Sequence, residues 1–376
     1  MSASALYGGR GIELVSGTGG TVRDSSGREY IDFFNGHGAA LFGHGNSRLQ
    51  AALAEGAAGV WSPGAGFENA HRDRLMALLE GILPDGRVFL SNSGAEAIEA
   101  ALKLTVALRP GRERILACRR AFHGRTTGAL ALTFNPNYRK PFASILAKVE
   151  HYAPEDLPEK IDSNVAAVFI EPVQGEGGVY PLSVEMGRRL SDACAASGAL
   201  LVADEIQTGM GRCGAFLGGA LVGLDSDIVC LAKGLAGGLP IGATVWKGVL
   251  GDFPSQTHGS TYGGNALVCR VAAEAVEMLQ QDHLAEWATS YGERLQRGLR
   301  SIKNENIVAV RGMGLLVGVE VKVPSIPLVR GMQEEGVLCL PAGPRVLRFL
   351  PSYASGEKHI DAVVAAVARV MESVPA

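Results

Sequence analysis

The sequence predicts an α/β fold: a large domain with a mostly parallel sheet flanked by helices, plus a smaller α/β domain from the terminal segments. Three observations carry that prediction. Between about residues 50 and 250, short wholly apolar runs alternate with longer helix-like stretches, the pattern of strands buried on both faces. After about residue 300, strand-like and helix-like segments alternate again over a short length. Glycine supplies 50 of the 376 residues, about 13% against a usual share of roughly 7%. It shows no every-third-residue period, so the excess points to tight turns and close backbone approaches in a globular chain.

In chain order, residues 21–34 (TVRDSSGREYIDFF) read as a hairpin, two β-prone runs around an Asp-Ser-Ser-Gly turn. Strands follow at 88–90, 115–118, 165–170, 199–203, 228–231 and 241–245, with amphipathic helices such as 96–108 and 184–197 between them. Residues 265–281 read as one long helix. It links a large domain placed at 46–270 to a small one made of 1–45 with 271–376. RGMGLLVGVEVK and VLRFLP then give two further strands, and a last helix runs through 360–370. No internal repeat or low-complexity linker intervenes, so close packing of the domains is expected.

Composition narrows the function. Apolar residues make up 47% of the chain, too many for a disordered protein. Thirty-five basic and 38 acidic residues give a net charge of −3, and no basic run is interleaved with aromatics, so nucleic acid is not an expected partner. No apolar run reaches the ~18 residues of a membrane span, and MSASALYGGRGIELV lacks the pattern of a secretory signal. The six cysteines contain no CxxC and four sit in apolar or helical patterns, which favours buried thiols. The eight histidines show no HExxH or paired ligand spacing, so no metal site is expected. A reducing cytoplasm is the default.

In an open parallel sheet, ligands bind beyond the carboxyl ends of the strands. After the strand at 88–90 comes Ser91-Asn92-Ser93-Gly94-Ala95-Glu96 at a helix start. This is either an anion site or an ordinary cap. After 115–118 come Phe122-His123-Gly124-Arg125-Thr126, and after 165–170 come Glu171 and Glu176 in a glycine-rich turn. Asp204 closes the strand at 199–203. A carboxylate there needs a positive partner: a cap or lysine on one reading, a protonated heteroaromatic nitrogen on the other. Lys233 follows the strand at 228–231 among small residues. By itself it suits a surface lysine or a Schiff-base catalyst equally. Gly209-Met210-Gly211-Arg212-Cys213-Gly214 matches GxGxxG. However, it neither follows a strand directly nor opens an amphipathic helix, which speaks against an NAD-dependent oxidoreductase.

Together these pieces resemble the class III aminotransferases, which use pyridoxal phosphate (PLP) on the fold-type I scaffold. The resemblance covers nearly the whole chain, from 32–46 to 347–351. It rests on SGAEA (93–97), AFHGRT (121–126), EPVQGEGG (171–178), DEIQTGMGRCG (204–214), LAKGLAGGLPIGA (231–243), HGSTYGGN (258–265), RGMG (311–314) and LRFLP (347–351). It implies that Lys233 binds the cofactor covalently and later shuttles a proton, and that Asp204 pairs with the ring nitrogen. Gln207 is implied at the ring hydroxyl, Phe122 on the ring face, and Gly94 and Ala95 at the phosphate. Thr261 is implied to reach that phosphate from a partner subunit, hence a homodimer with shared sites. Arg348 resembles the arginine that takes the α-carboxylate of glutamate, and Glu176 the residue that masks it. Arg125 is implied to take a substrate carboxylate, with Ser260 beside it. Two arginines and one switchable carboxylate suit a site that must accept both an amine donor and glutamate. Thirteen motif glycines, at 94, 124, 175, 177, 178, 209, 211, 214, 234, 237, 238, 263 and 264, are then expected to close around the cofactor.

Within the class, AFHGRT, EPVQGEGGVYP and DEIQTGMGR are most similar to acetylornithine aminotransferases, which pass the terminal amine to 2-oxoglutarate. NPNYRKPF (135–142) and AGPRVLRFLP (342–351) lean toward the relatives acting on lysine or ornithine attached to an acidic carrier protein, with Arg139 and Lys140 as residues that could face the carrier. These likenesses imply a place in arginine or lysine biosynthesis. Ornithine and 4-aminobutyrate aminotransferases are rivals on the same fold. Arg348 counts against an aminomutase, and the intact Lys233, Asp204 and Arg348 count against a non-catalytic regulator. Three departures stand out: Ile98 in place of asparagine, Ala266 in place of proline, and a polar stretch at 352–358. They are expected near the substrate.

Overall fold

The computed structural model describes residues 9–374, so part of the segment read for a secretory signal lies outside it. β1 (Leu14–Thr18), β2 (Thr21–Asp24) and β3 (Glu29–Asp32) form an antiparallel meander. The predicted hairpin is the β2–β3 pair. Asp24 Oδ1 accepts the N–H groups of Ser26 and Arg28 at its turn, as an Asx-turn requires.

The central sheet is built from β4 (Arg87–Ser91), β5 (Arg114–Cys118), β6 (Glu150–Tyr152), β7 (Val165–Ile170), β10 (Leu200–Asp204), β11 (Ile228–Leu231) and β12 (Gly242–Trp246). The short pair β8 (Val173–Gln174) and β9 (Tyr180–Pro181) forms a separate hairpin. The order across the central sheet is β4-β12-β11-β10-β7-β5-β6. Only β12 runs against its neighbours. All residues of β7, β10, β11 and β12 are buried, which explains why they read as continuous apolar runs.

The connecting helices follow from caps and apolar stripes. Ser93 accepts the N–H of Glu96 to start Gly94–Leu108, and that helix buries Ala97, Ile98, Ala101 and Leu104 at helical spacing. Ser183 starts Val184–Ser197, which ends on Gly198 at φ 73°, the left-handed stop that glycine allows. Asn265 caps the predicted long helix, Ala266–Gln281. No helix among the described residues is long and apolar enough to cross a membrane. All six cysteines are buried and unpaired.

The tail differs from expectation. RGMGLLVGVEVK is not one strand: it holds the corner between β13 (Ile307–Met313) and β14 (Leu316–Val321), with Gly314 at φ 53°. A left-handed glycine reverses the chain where the apolar pattern runs on. β15 (Val337–Leu338) crosses to pair with β3, while β16 (Leu340–Ala342) and β17 (Val346–Phe349) complete an antiparallel sheet ordered β13-β14-β17-β16. The helix Leu284–Ser301 was not anticipated. It follows the preceding helix after only Asp282 and His283, the latter at φ 51°.

The three departures have structural accounts, and none of them lines the cavity at the carboxyl ends of the strands. Ile98 is fully buried in the core beside the sheet. The N–H of Ala266 donates to Trp61 O, a bond that proline could not make. The stretch at 352–358 folds on itself through Ser352 and Ser355, and Tyr353 donates its hydroxyl to Met210 O.

Arg212, at the centre of the GxGxxG match, explains that segment. It is fully buried and faces carbonyls from three parts of the chain: Pro351 at 2.7 Å, Leu315 at 3.2 Å and Gly38 at 2.9 Å. Burial lowers its pKa to about 10. Gly211 and Gly214 make room for Tyr353 and Thr289, and Gly209 for Leu231 and Glu205. These glycines serve packing, and none of them lines the cavity at the carboxyl ends of the strands. Arg212→Ala leaves three carbonyls without a donor, each worth about 1–3 kcal/mol. It is expected to lower the thermal midpoint by several degrees, whereas exposed Arg297→Ala should shift it by roughly one degree or less. Calorimetry of both variants checks this.

Candidate active site

The carboxyl ends of the parallel strands open on a cavity of about 460 Å³. Each wall is a loop following a strand. Asn92–Ala95 come from β4, Phe122–Arg125 from β5, Glu171 and Glu176 from the β7 side, Asp204 and Gln207 from β10, and Lys233 from β11. Ten of the eleven predicted residues therefore lie in or beside one place; their geometry differs in detail from the expectations.

Asp204 is buried at the cavity floor. Its Oδ2 lies 2.7 Å from His123 Nδ1, and its Oδ1 accepts the N–H of Ile206 at 3.0 Å. The side chain that meets the Asp204 carboxylate is thus a histidine. Burial opposes charge on His123, but the hydrogen bond and charge of Asp204 together with Glu171 raise its pKa. Its Nε2 is buried with no hydrogen-bond partner among the described residues. Sequence reasoning missed His123, although the requirement for a partner to Asp204 was the available signal.

Glu171 was also given no role. It accepts the N–H of Phe122 at 2.9 Å and of Gly175 at 3.2 Å, fastening the β5 loop to the β7 loop. Burial pushes its carboxyl up to about 7, with Asp204 adding to the rise and His123 opposing it.

Lys233 leaves β11 at φ 47°, a left-handed turn that a non-glycine residue adopts only under strain. The turn aims its side chain into the cavity wall. Burial lowers its pKa to about 8; Glu176 opposes the shift and Arg348 reinforces it. An amine of that kind is available as a nucleophile near neutral pH.

Arg348, on β17, is fully buried. It donates Nη2 to Glu176 Oε1 at 2.6 Å and Nη1 to Gln207 Oε1 at 3.0 Å. Burial pushes the Glu176 carboxyl up, but Arg348 and Lys233 pull it below its usual value. Gly175 is required here: a Cβ would lie 1.9 Å from Gln207 Oε1 and 3.3 Å from Arg348 Nη1.

Gly94 and Ala95 lie on the cavity wall at the start of their helix, where backbone N–H groups have no intrahelical acceptor. A side chain at Gly94 would collide with Ile206. Of the thirteen motif glycines only 94, 124 and 238 line the cavity. Ser260 sits at the edge, its Oγ accepting from Asn92 Nδ2 and Gly263 N, each at 3.0 Å. Arg125 is exposed at the lip, and Thr261 is exposed and outside the cavity wall.

The donor set suits PLP chemically. A lysine with lowered pKa matches its aldehyde, a buried carboxylate its ring nitrogen, and a helix start its phosphate.

Comparison with known proteins agrees. The family model described as aminotransferase class-III matches residues 10–371. The [LysW]-aminoadipate semialdehyde transaminase of Deinococcus radiodurans is 39% identical, over 99% of this chain and 88% of that protein. The acetylornithine aminotransferase of Bacillus cereus is 35% identical, over 97% and 96%. Among solved structures, the ornithine aminotransferase of Toxoplasma gondii superposes with a TM-score of 0.94 at 31% identity, covering 99% of this chain and 92% of that one. The chain belongs to the class-III aminotransferases, enzymes that work with PLP.

Proposed function

We propose that the protein moves the terminal amino group of an N-blocked diamino acid to 2-oxoglutarate, giving the semialdehyde and glutamate. The observation that carries this is the Arg348–Glu176 ion pair beside Lys233. Glutamate brings a carboxylate next to the carbon that carries its amine, and Arg348 is placed to receive it once Glu176 moves aside. A donor reacting through a terminal amine has no carboxylate at that end, and Glu176 then neutralises the buried guanidinium. Bound PLP supplies an electron sink for bond changes at the amine-bearing carbon. Lys233 holds the cofactor and carries the proton at that carbon through Nζ. Asp204, steadied by His123, takes the ring nitrogen. Gln207 faces the ring hydroxyl and Phe122 the ring. The N–H groups of Gly94 and Ala95 take the phosphate, and Arg125 with Ser260 takes the distal carboxylate.

Relatives at 37–39% identity are named for [LysW]-aminoadipate semialdehyde, which favours the carrier-linked donor. Acetylornithine is the second reading, supported by relatives of that name at 35–36%. Arg139 and Lys140 follow Tyr138 near the lip, and Lys140 is exposed, a basic pair suited to an acidic carrier. We also propose a homodimer. Trp61, Phe67 and Tyr262 are 58%, 70% and 66% exposed. Their loops are tied together by the Ala266–Trp61 backbone bond and by Arg72 donating to Phe67 O. Such an apolar face beside Thr261 suits a second subunit.

Three outcomes are expected. Purified protein carries a cofactor absorbance that shifts on adding an amine donor, and Lys233→Ala abolishes turnover; a colourless protein that binds NAD would sink the reading. A screen of carrier-linked lysine, acetylornithine, ornithine and 4-aminobutyrate against 2-oxoglutarate then ranks the donors. Second, the neutral fraction of an amine with pKa about 8 rises roughly tenfold from pH 7 to 9 and then levels. PLP uptake by the apoprotein, followed by absorbance, should rise likewise and plateau; a rate still climbing past pH 10 contradicts the lowered pKa. Third, reversing charge at both Arg139 and Lys140 should raise KM for the carrier-linked donor and leave acetylornithine turnover unaltered. Unchanged kinetics with the carrier-linked donor would remove these residues from the docking face.

A further inference from the structure

Arg125 and Arg348 are held in opposite ways. Arg348 is buried and already paired with Glu176. Arg125 is exposed, and no carboxylate among the described residues makes an ion pair with it. What it has instead is an aromatic seat. Its guanidinium carbon lies 3.8 Å from the ring centroid of Tyr138 and 5.8 Å from that of Phe122. Tyr138 meets Phe122 edge-on, at 6.3 Å and 85°.

The seat is built locally. Phe134 N–H donates to Ala121 O at 2.9 Å, which anchors the segment to the loop after β5. Asn135 then caps a single turn: its side chain accepts the N–H of Asn137, and its carbonyl accepts the N–H of Tyr138 at 3.1 Å. Pro136 fixes the first position of that turn.

A ring face positions a cation without using any of its hydrogen-bond donors and without neutralising it. An aspartate or glutamate in the same place would have to be displaced before a substrate carboxylate could dock. We propose that Tyr138 is a positioning residue: it holds Arg125 at the cavity lip as a permanently available site for the carboxylate of donor and of acceptor in both halves of the reaction. The inference rests on the reading that Arg125 takes a substrate carboxylate. It adds the residue that sets the place and readiness of that arginine.

The test uses PLP-loaded enzyme and glutarate, a dicarboxylate that cannot be aminated, with butyrate as the one-carboxylate control. Calorimetric Kd values and the KM and kcat for 2-oxoglutarate are measured for wild type, Tyr138→Phe, Tyr138→Leu, Arg125→Met and the Tyr138→Leu/Arg125→Met double variant. Tyr138→Leu should weaken glutarate and raise KM for 2-oxoglutarate by roughly three- to thirtyfold, with kcat within about twofold. Tyr138→Phe should restore both, any butyrate binding should fall in parallel with glutarate, and the double variant should bind glutarate no worse than Arg125→Met alone. Wild-type glutarate affinity in Tyr138→Leu, additive losses in the double variant, or a defect confined to cofactor loading and thermal midpoint would each overturn the inference. A wild type indifferent to glutarate would overturn the carboxylate role of Arg125 itself, and this inference with it.

Discussion

A buried guanidinium governs the arrangement of this protein. Arg348 projects from the antiparallel sheet of the chain's tail and is fully buried at the carboxyl ends of the parallel strands. An unpaired charge there would cost several kcal/mol. Its partners come from two separate loops, Glu176 after β7 and Gln207 after β10. Those loops in turn fix the backbone around them. Gly175 has no room for a side chain, and Arg311 holds the same turn from behind, donating to Gly178 O at 2.7 Å and Val179 O at 2.9 Å while lying 3.9 Å over the Tyr180 ring. RGMG thus acts through its arginine as a clamp on the loop that carries Glu176.

The same cation tunes the neighbouring lysine. Arg348 and burial both lower the Lys233 pKa, while Glu176 raises it. Movement of Glu176 away from Arg348 would remove its own attraction for the lysine and leave the repulsion less screened. Deeper in the cavity, Glu171, His123 and Asp204 form a second ionisable group: burial opposes charge on His123 while Asp204 and Glu171 raise its pKa, and burial raises that of Glu171. Backbone N–H groups serve both acids, those of Phe122 and Gly175 at Glu171 and that of Ile206 at Asp204, as buried carboxyl oxygens require.

Much of this was legible in the sequence wherever a local pattern carried it. The β7 run of six buried residues, the helices Val184–Ser197 and Ala266–Gln281, and the loop residues just beyond the strands fall where the pattern places them. What was hidden depended on contacts far apart in the chain. His123 and Asp204 are 81 residues apart, and nothing local marks them as a pair. Ile98 looks like a change near the substrate until the helix is rotated into place, when it points into the core. The glycines at 209, 211 and 214 resemble a ligand loop, but the atoms that demand them belong to Leu231, Tyr353 and Thr289. Glycine reports that something comes close; it does not say what.

On the proposed reading, the two arginines let one cavity meet two unlike requirements. A guanidinium bound to a carboxylate is neutralised, and a substrate carboxylate must compete for it. That competition discriminates, because only a ligand with a carboxylate near the reacting carbon supplies the compensating charge. A guanidinium resting on aromatic rings keeps its charge and its donors, so any substrate with a distal carboxylate can use it. Swapping the two holders would reverse both properties. A free cation beside Lys233 would stand uncompensated when the terminal-amine donor binds, and a masked one at the lip would weaken every substrate alike. The chain places the acid on the inner arginine and the rings on the outer one; on the proposed reading, this puts selection next to the chemistry and general affinity at the entrance.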